Sequence, residues 1–373
     1  MVPVPPVARG GLTGARALSR IAGFLAALRR GAAFHRVPFS LALLRSLRLY
    51  AAGQFSRKEI IGYALFAPSI TATMPVLISK ERSLARLARF NPPERQRLTE
   101  NKDEFYAICR EKNLPIPEIY GWTRNGRRYN SDGRAIEHDA AWRDYLSARL
   151  PQHFIRKDKD GAYGSGFAAF QRNGNRFRAA DGTDDVDIDG LVSALSSGVG
   201  QADIVVQRRV FDDDRLAALS GRRGLQTMRV NTLLAPDGGV SILFYMIKVL
   251  AGRTITDNFS MGTTGNLIAY GDRDDGVLRG AVNIHECGSG MKRVAVHPDT
   301  GIAFDGFRLP HWAEAIELAR NGQRVFPQLP TLGWDIALTE SGPLIIEANA
   351  RWDPPLYAPF LMPAEHWRRI FGD

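Results

Sequence analysis

The sequence predicts an α+β chain preceded by a mostly helical N-terminal region, and three observations carry the prediction. Apolar residues recur at helical spacing up to about Leu150. From Phe154 onward the period shortens to β-like runs punctuated by Gly and Asn. These runs are followed by mixed elements and do not alternate regularly with helices, which favours α+β or a composite architecture over a βαβ repeat. A chain of 373 residues exceeds what one ordinary core organises, so two or three structural units are expected. At 45% hydrophobic and 24% charged residues, the composition is that of a folded globular protein and not of a disordered or fibrous one.

Residues 1–58 form the first expected unit, a basic and partly amphipathic segment. They hold nine Arg, one Lys and no acidic residue, which accounts for the whole net charge of +10. The rest of the chain carries 39 basic and 39 acidic residues, a balance that argues against nucleic acid as a partner. Leu18, Ile21, Leu25 and Leu28 recur at helical spacing, with Arg16, Arg20, Arg29 and Arg30 among them. Such a helix has four readings: attachment to an anionic membrane surface, packing on the body through its apolar stripe, a transit peptide, or an extension from a start codon assigned too early. Cys109 and Cys287 lack CxxC or Cys/His spacing, so neither a disulfide framework nor a zinc site is expected. A reducing, cytoplasmic setting is the simplest reading, with Cys109 in the core. The longest nearly apolar stretch, 65–78, is short for a membrane span and contains Pro68 and Pro75, so no transmembrane helix is expected.

Residues 59–150 are expected to be mostly helical, with breaks at Asn91-Pro92-Pro93 and Leu114-Pro115-Ile116-Pro117. Two further units are expected at 151–210 and 211–373. Within them, strands are expected at 154–157, 167–170, 204–207, 228–234, 240–249, 334–338 and 344–348, with a helix between His311 and Val325.

The run from Gly333 to Asn349 reads as a β-hairpin, because two alternating segments flank a Ser-Gly turn signal at Ser341-Gly342. A turn centred on Ser341 sets Thr339 opposite Pro343, Ala337 opposite Ile345 and Asp335 opposite Glu347, and cross-strand partners share a face. Asn349 joins that face, while Trp334, Ile336, Leu338, Leu344, Ile346 and Ala348 fill the other. Two carboxylates and an amide thus gather at one end. Like charges held a few ångströms apart repel unless a proton or cation lies between them, and hard oxygens suit Mg²⁺. The alternative is a surface hairpin whose charges face water.

A second constellation begins where a strand ends in Lys157 and a loop with Gly161, Gly164, Ser165 and Gly166 follows. Glycines let backbone N–H groups approach phosphate oxygens, and the lysine supplies compensating charge. The order is not GxxxxGK[ST] and opens no helix, so P-loop and Rossmann chemistry do not fit. A plain glycine-rich β-turn is the other reading. Asp257-Asn258 and His297-Pro298-Asp299 likewise admit a loop cap and a turn beside substrate contact.

Taken in chain order, these segments resemble a known series. Asn101-Lys102 with Phe105, then Leu114-Pro115-Ile116-Pro117, then Lys157 with its glycines, come first. Ile204-Val205-Val206-Gln207, Thr227-Met228-Arg229, Asp257-Asn258, His297-Pro298-Asp299-Thr300-Gly301 and Gly333-Trp334-Asp335 with Glu347-Ala348-Asn349 follow. The series resembles the ATP-grasp superfamily, most closely its sugar-transfer-associated branch, over roughly residues 80 to 360. The ordered set is more specific than any one member.

The resemblance implies the ATP-grasp fold, two α+β lobes gripping ATP. It implies Lys102 and Lys157 on the phosphates, the glycine loop closing over them, and Gln207, Arg208 and Val210 at the adenine. It also implies Asp335, Glu347 and Asn349 holding two Mg²⁺, with Mn²⁺ as an alternative, and Arg229 on the transferring γ-phosphate, with Lys248 and Asp257 in the catalytic set. Three positions depart from the pattern. Asp158 stands where a proline is usual, which leaves Arg156 as an alternative loop cation. No arginine lies two residues before Asp335, which leaves acyl-phosphate stabilisation to Arg229, Lys248 or Arg253. Ala350-Arg351-Trp352-Asp353-Pro354 follows Asn349, so the acceptor pocket should differ from that of peptide ligases.

The implied activity is Mg-ATP-dependent ligation of a small-molecule carboxylate to an amine through an acyl phosphate, in polysaccharide or cell-envelope biosynthesis. The expected setting is cytoplasmic, with residues 1–58 in peripheral contact with the inner face of an anionic membrane. Two rivals stand beside it: phosphotransfer to a sugar hydroxyl, and a non-catalytic, membrane-recruited ATP-binding partner.

Overall fold

Proline and serine punctuation starts the first helices after α1 (Gly14–Phe34). Pro38 precedes α2 (Phe39–Ala51), Ser56 caps α3 (Arg57–Gly62), and Pro68 opens α4 (Pro68–Thr71). At α3 the Ser56 hydroxyl accepts from the Glu59 N–H while the Glu59 carboxylate accepts from the Ser56 N–H at 2.8 Å, a reciprocal capping box. The computed structural model describes residues 14–52, 55–72, 78–159, 166–180, 182, 185–196, 203–356, 361–362 and 364–372.

The chain divides into two units, one of residues 1–82 with 284–292, the other of 83–283 with 293–373. The first has its own core of Leu28, Ala32, Ala42, Phe55, Ile60, Leu65 and Phe66. The expected stripe on α1 is split: Leu28 is fully buried there, whereas Leu18, Ile21 and Leu25 are exposed. No described helix is long and apolar enough to cross a membrane.

Helix α5 (Lys80–Leu87) spans the boundary at residues 82 and 83, and in the second unit α6 (Pro93–Glu100) and α7 (Lys102–Glu111) precede the first strand. The expected break at Asn91-Pro92-Pro93 starts α6, with Pro93 at a position where a missing N–H costs nothing. Asn91 is buried, and its Nδ2 donates to the carbonyls of Thr331 at 2.6 Å and Ala350 at 2.7 Å.

The first sheet is built from β1 (Ile119–Arg124), β2 (Arg127–Asn130), β3 (Ala135–Ile136), β4 (His153–Asp158), β5 (Ala168–Asn173), β6 (Arg176–Ala179) and β7 (Ile204–Arg208), in the order β3-β2-β1-β7-β4-β5-β6. β1 to β3 correct the expectation of a mostly helical 59–150. Asn125 and Gly126, at φ +50° and +73°, close a two-residue hairpin that pairs Arg124 with Arg127. Helices α8 (Asp139–Arg149) and α9 (Ile188–Ser196) cover the face bearing Phe154, Phe170, Phe177, Ile204 and Val206.

After α10 (Asp214–Ser220), the second sheet contains β8 (Thr227–Leu234), β9 (Val240–Val249), β10 (Leu267–Gly271), β11 (Leu278–Ile284), β12 (Met291–Val294), β13 (Thr331–Thr339) and β14 (Gly342–Asn349), in the order β12-β11-β10-β9-β8-β13-β14. Helix α11 (Trp312–Val325) lies where helical period returns, and α12 (Ala364–Phe371) ends the chain's regular structure. Gly322 lets α11 sit directly on Trp334, since a Cβ there would lie 2.8 Å from the indole ring. The Trp334 Nε1 donates to the Thr232 hydroxyl at 3.0 Å, so the buried indole leaves no donor unpaired.

The hairpin forms with one correction. Its turn is the two residues Glu340 and Ser341, so Thr339 pairs with Gly342, Ala337 with Leu344 and Ile336 with Ile345. A bulge at Ile346 then restores the register, and Asp335 pairs with Glu347 as the alternation requires. Ile345, and not Leu344, therefore joins Ile336 and Trp334 in the core.

Candidate active site

Four adjacent strands set a row of charges. β8 pairs with β13 so that Arg229 stands opposite Asp335, and β14 sets Glu347 on the other side of Asp335. On β9, Met246 pairs with Arg229, and Lys248, two residues on, shares its face. The side chains meet accordingly. Arg229 Nη2 donates to Asp335 Oδ2 at 2.8 Å, its Nε donates to Oδ1, and Lys248 Nζ donates to Oδ2 at 2.9 Å. Asp335 is 2% exposed, which rules out the water-facing hairpin. Asn349 Nδ2 lies 3.4 Å from Glu347 Oε1 and donates to the Gly333 carbonyl at 3.2 Å.

Burial raises Asp335, but Arg229 and Lys248 together outweigh it and hold its carboxyl below the usual carboxylate range. Glu347 moves the opposite way: burial raises it, and the neighbouring Asp335 charge raises it further. The two carboxyls interact directly, and with Asp335 held charged by its cations a proton or a cation is favoured at Glu347. Such a pair of hard oxygen donors beside the Asn349 amide fits Mg²⁺. Among the described residues there is no group of three or more His, Cys, Asp or Glu able to hold a metal, and the donors expected from the sequence are two carboxylates and an amide.

The first sheet contributes Lys157. Its β4 register with β7 puts Lys157 on the face of Val205 and Gln207, while Arg156, Asp158 and Val206 take the opposite face. Burial pushes the Lys157 ammonium down to about 8, with Glu347 pulling it up and Lys102 pushing it further down. Arg156 instead pairs with Asp158, Nη2 to Oδ1 at 3.1 Å, so of the two alternatives it is Lys157 that lies near Glu347 and Asp335. The Asn101 side chain caps α7 by accepting from the Asp103 N–H at 3.0 Å, which puts Lys102 in the first turn, where its Nζ donates to the Lys159 carbonyl at 3.0 Å. Gly166 has φ +65° and lies against the Asp158 carboxylate; Gly161, Gly164 and Ser165 lie outside the described residues.

Gln207 is fully buried beside the Tyr106 hydroxyl, and its amide makes no hydrogen bond of ordinary geometry among the described residues. Arg208 points to the other face of β7 and is exposed; with Val210, Phe211, Ile116 and Leu344 it lines a cavity of about 400 Å³. The Asp257 carboxylate accepts from the Thr227 N–H at 2.8 Å and so caps the start of β8, while its charge is also felt by Lys248 and Lys157. His297 is structural: fully buried, its Nε2 lies 2.9 Å from the Leu250 carbonyl oxygen. Arg253 is exposed.

Two residues at the site were not singled out from sequence. Asn231, two residues after Arg229 on the same face, is fully buried with both amide atoms unpartnered among the described residues, and the missing side chain at Gly333 makes room for it. A Cβ at Gly333 would lie 3.1 Å from Asn231 Nδ2 and 3.3 Å from Arg229 Cδ. The i, i+2 spacing from Arg229 was the available signal. Asp212, just past the β7 end, is pushed up to about 7 by burial, although Gln226 donates to it through backbone and side chain at 2.8 and 2.9 Å.

A family model described as sugar-transfer associated ATP-grasp matches residues 82–358. No curated protein matches the sequence. Similar solved structures include D-alanyl-alanine synthetase A from Vibrio cholerae, at 13% identity and TM-score 0.42, covering 75% of this chain and 63% of that one. N5-carboxyaminoimidazole synthase from Aspergillus clavatus aligns at 12% identity and TM-score 0.37, over 69% and 46%. The biotin carboxylase domain of 2-oxoglutarate carboxylase from Hydrogenobacter thermophilus aligns at 10% and 0.39, over 74% and 46%. This chain spans less than two thirds of the length of each. With about three quarters of its sequence inside the family match, the chain belongs to the sugar-transfer associated ATP-grasp family.

Proposed function

We propose that the chain is an Mg-ATP-dependent ligase that joins a small-molecule carboxylate to an amine through an acyl phosphate, in polysaccharide or cell-envelope biosynthesis. In this reading 151–210 and 211–373 act as the two lobes, and residues 1–58 make a peripheral contact with an anionic membrane at its cytoplasmic face. The observation that supports it most is the Asp335–Glu347 pair, set across one ladder, with Asp335 buried and Glu347 half-buried, and surrounded by Arg229, Lys248 and Lys157.

Asp335, Glu347 and Asn349 would hold Mg²⁺, which when bound would supply charge neutralisation for the phosphates. Lys102 and Lys157 carry the charge for the phosphates, and Gln207, Arg208 and Val210 form the edge for adenine. Arg229 and Lys248, which pair with Asp335, would also stabilise charge on the transferring phosphoryl group. The buried Asn231 amide makes no hydrogen bond among the described residues, and a ligand that met it would remove that cost. The chain needs no covalent nucleophile of its own for this chemistry.

The test is a metabolite-extract screen for ADP release, followed by mass identification of the consumed compound. ADP, free phosphate and a new amide are the expected products. A stable phosphoester in place of the amide would make the chain a phosphotransferase, and no ADP from any extract would sink both.

A further inference from the structure

Nine of the eleven exposed large apolar side chains among the described residues lie between Leu18 and Tyr50. Helix α1 turns Phe24, Leu28 and Ala32 toward the core of its unit and leaves Leu18 67% and Ile21 45% exposed. Helix α2 turns Ala42, Leu43 and Leu49 inward, and Leu41, Leu44 and Leu47, three residues apart, outward. On α1 the exposed residues continue the Leu28 stripe toward the helix start, and on α2 they face away from the core, so both helices show apolar residues where a surface helix ordinarily shows polar ones. The same two helices expose Arg20, Arg29, Arg30 and Arg48, and no acidic residue occurs before Glu59.

An apolar surface of this extent marks an interaction site, and its charge selects the partner. A protein partner would have to be both greasy and acidic; a bilayer with anionic headgroups is both by construction, with acyl chains for the leucines and phosphates for the guanidinium groups. Neither helix is long and apolar enough to span. We propose that the exposed start of the α1 stripe and the outer face of α2 form one docking surface that lies in the interface of an anionic lipid bilayer, Leu18, Ile21, Leu44 and Leu47 entering the acyl boundary and the arginines holding the headgroups. The inference rests on the peripheral part of the functional reading and on none of its chemistry.

Full-length protein is mixed with phosphatidylcholine vesicles with and without phosphatidylglycerol, at low and high salt, and the bound fraction is measured by co-sedimentation. Binding should require the anionic lipid and weaken with salt. The combined Leu18→Gln, Ile21→Gln, Leu44→Gln and Leu47→Gln variant, and separately the Arg29→Gln and Arg30→Gln pair, should each lower partitioning by on the order of tenfold or more. All four apolar positions and both arginines are exposed, so the thermal transition should not move. No binding, equal binding to neutral vesicles, or variants that bind like the parent would overturn the proposal. So would a concentration-dependent dimer in light scattering that the glutamine variant abolishes, which would assign the surface to a second copy. ADP release, measured in the same samples, is expected to be unchanged, so failure of the docking surface and failure of the ligase reading are told apart.

Discussion

The two sheets of the larger unit each bury an ionic group, and the two are built on different terms. On β4, Arg156 and Asp158 stand two residues apart on one face, one charge to one charge, 7% and 8% exposed at the side chain. Gly166 presses its backbone onto that carboxylate at φ +65°, where any side chain would collide. On the second sheet Asp335 is shared by two cations, with Glu347 beside it and Lys157 near, and Asp335, Glu347 and Lys157 are all moved from their ordinary pKa values. A balanced buried pair can hold structure without a ligand. A group with crowded like charges on both sides is poised to exchange partners, which is the electrostatic signature of a working site.

Arg156→Ala would break the balanced pair and leave Asp158 buried alone, at a cost of about 3–5 kcal/mol in a denaturant titration. ATP affinity of the protein that remains folded should hardly change. If turnover is abolished while stability is untouched, the roles of Arg156 and Lys157 are reversed. Glu347→Gln keeps shape and removes charge from the crowded group. It should lower turnover roughly a hundredfold, about 3 kcal/mol, and raise the Mg²⁺ needed, with folding intact. Combined with Asp335→Asn, the loss should be less than additive because both act through the same ions. A wild-type Mg²⁺ response in Glu347→Gln would remove the metal site.

Lys157 sharpens the comparison through pH. Folding lowers its pKa to about 8, so between about 8 and the ordinary lysine value the unfolded chain binds more protons, and its contribution to stability rises with pH across that window. Phosphate recognition runs the other way, because it needs the ammonium. Apparent ATP affinity should fall as pH rises through about 8, and Lys157→Arg, charged throughout, should flatten that profile while binding more weakly. A profile unchanged by Lys157→Arg would take this residue off the phosphates. The smallest effect belongs to Glu340 at the hairpin turn, exposed and 3.5 Å from the equally exposed Arg223. Glu340→Gln should leave turnover and thermal stability within error of the parent, since exposed pairs contribute little.

How far the site was legible depended on the range of the contact. That Asp335 and Glu347 share a face follows from a period of two across a short turn, and it survives even though the expected Thr339–Pro343 and Ala337–Ile345 pairs are each displaced by one. The turn takes two residues and the bulge at Ile346 returns the one it lost, an exchange that alternation cannot reveal because the bulged residue is apolar like its neighbours. Asn125-Gly126 is a hairpin signal that the expectation of a mostly helical 59–150 left out. Arg156 and Lys157 could be put on opposite faces from their adjacency alone, but not which face looked toward Glu347.

The sequence by itself determined the α+β class, the order of motifs that marks the family, the helix at Trp312–Val325 and the pairing of Asp335 with Glu347, because each rests on local periodicity or on residues a few positions apart. Only the tertiary structure decided that β8 lies beside β13, so that Arg229, more than a hundred residues earlier, takes Asp335, and that Lys248 reaches it from β9. It also decided that Leu28 is core while Leu18, Ile21 and Leu25 of the same stripe stay outside. Side-chain period says which residues share a face; what that face meets is set by strand order and packing between distant segments, where the free energy of burial is collected.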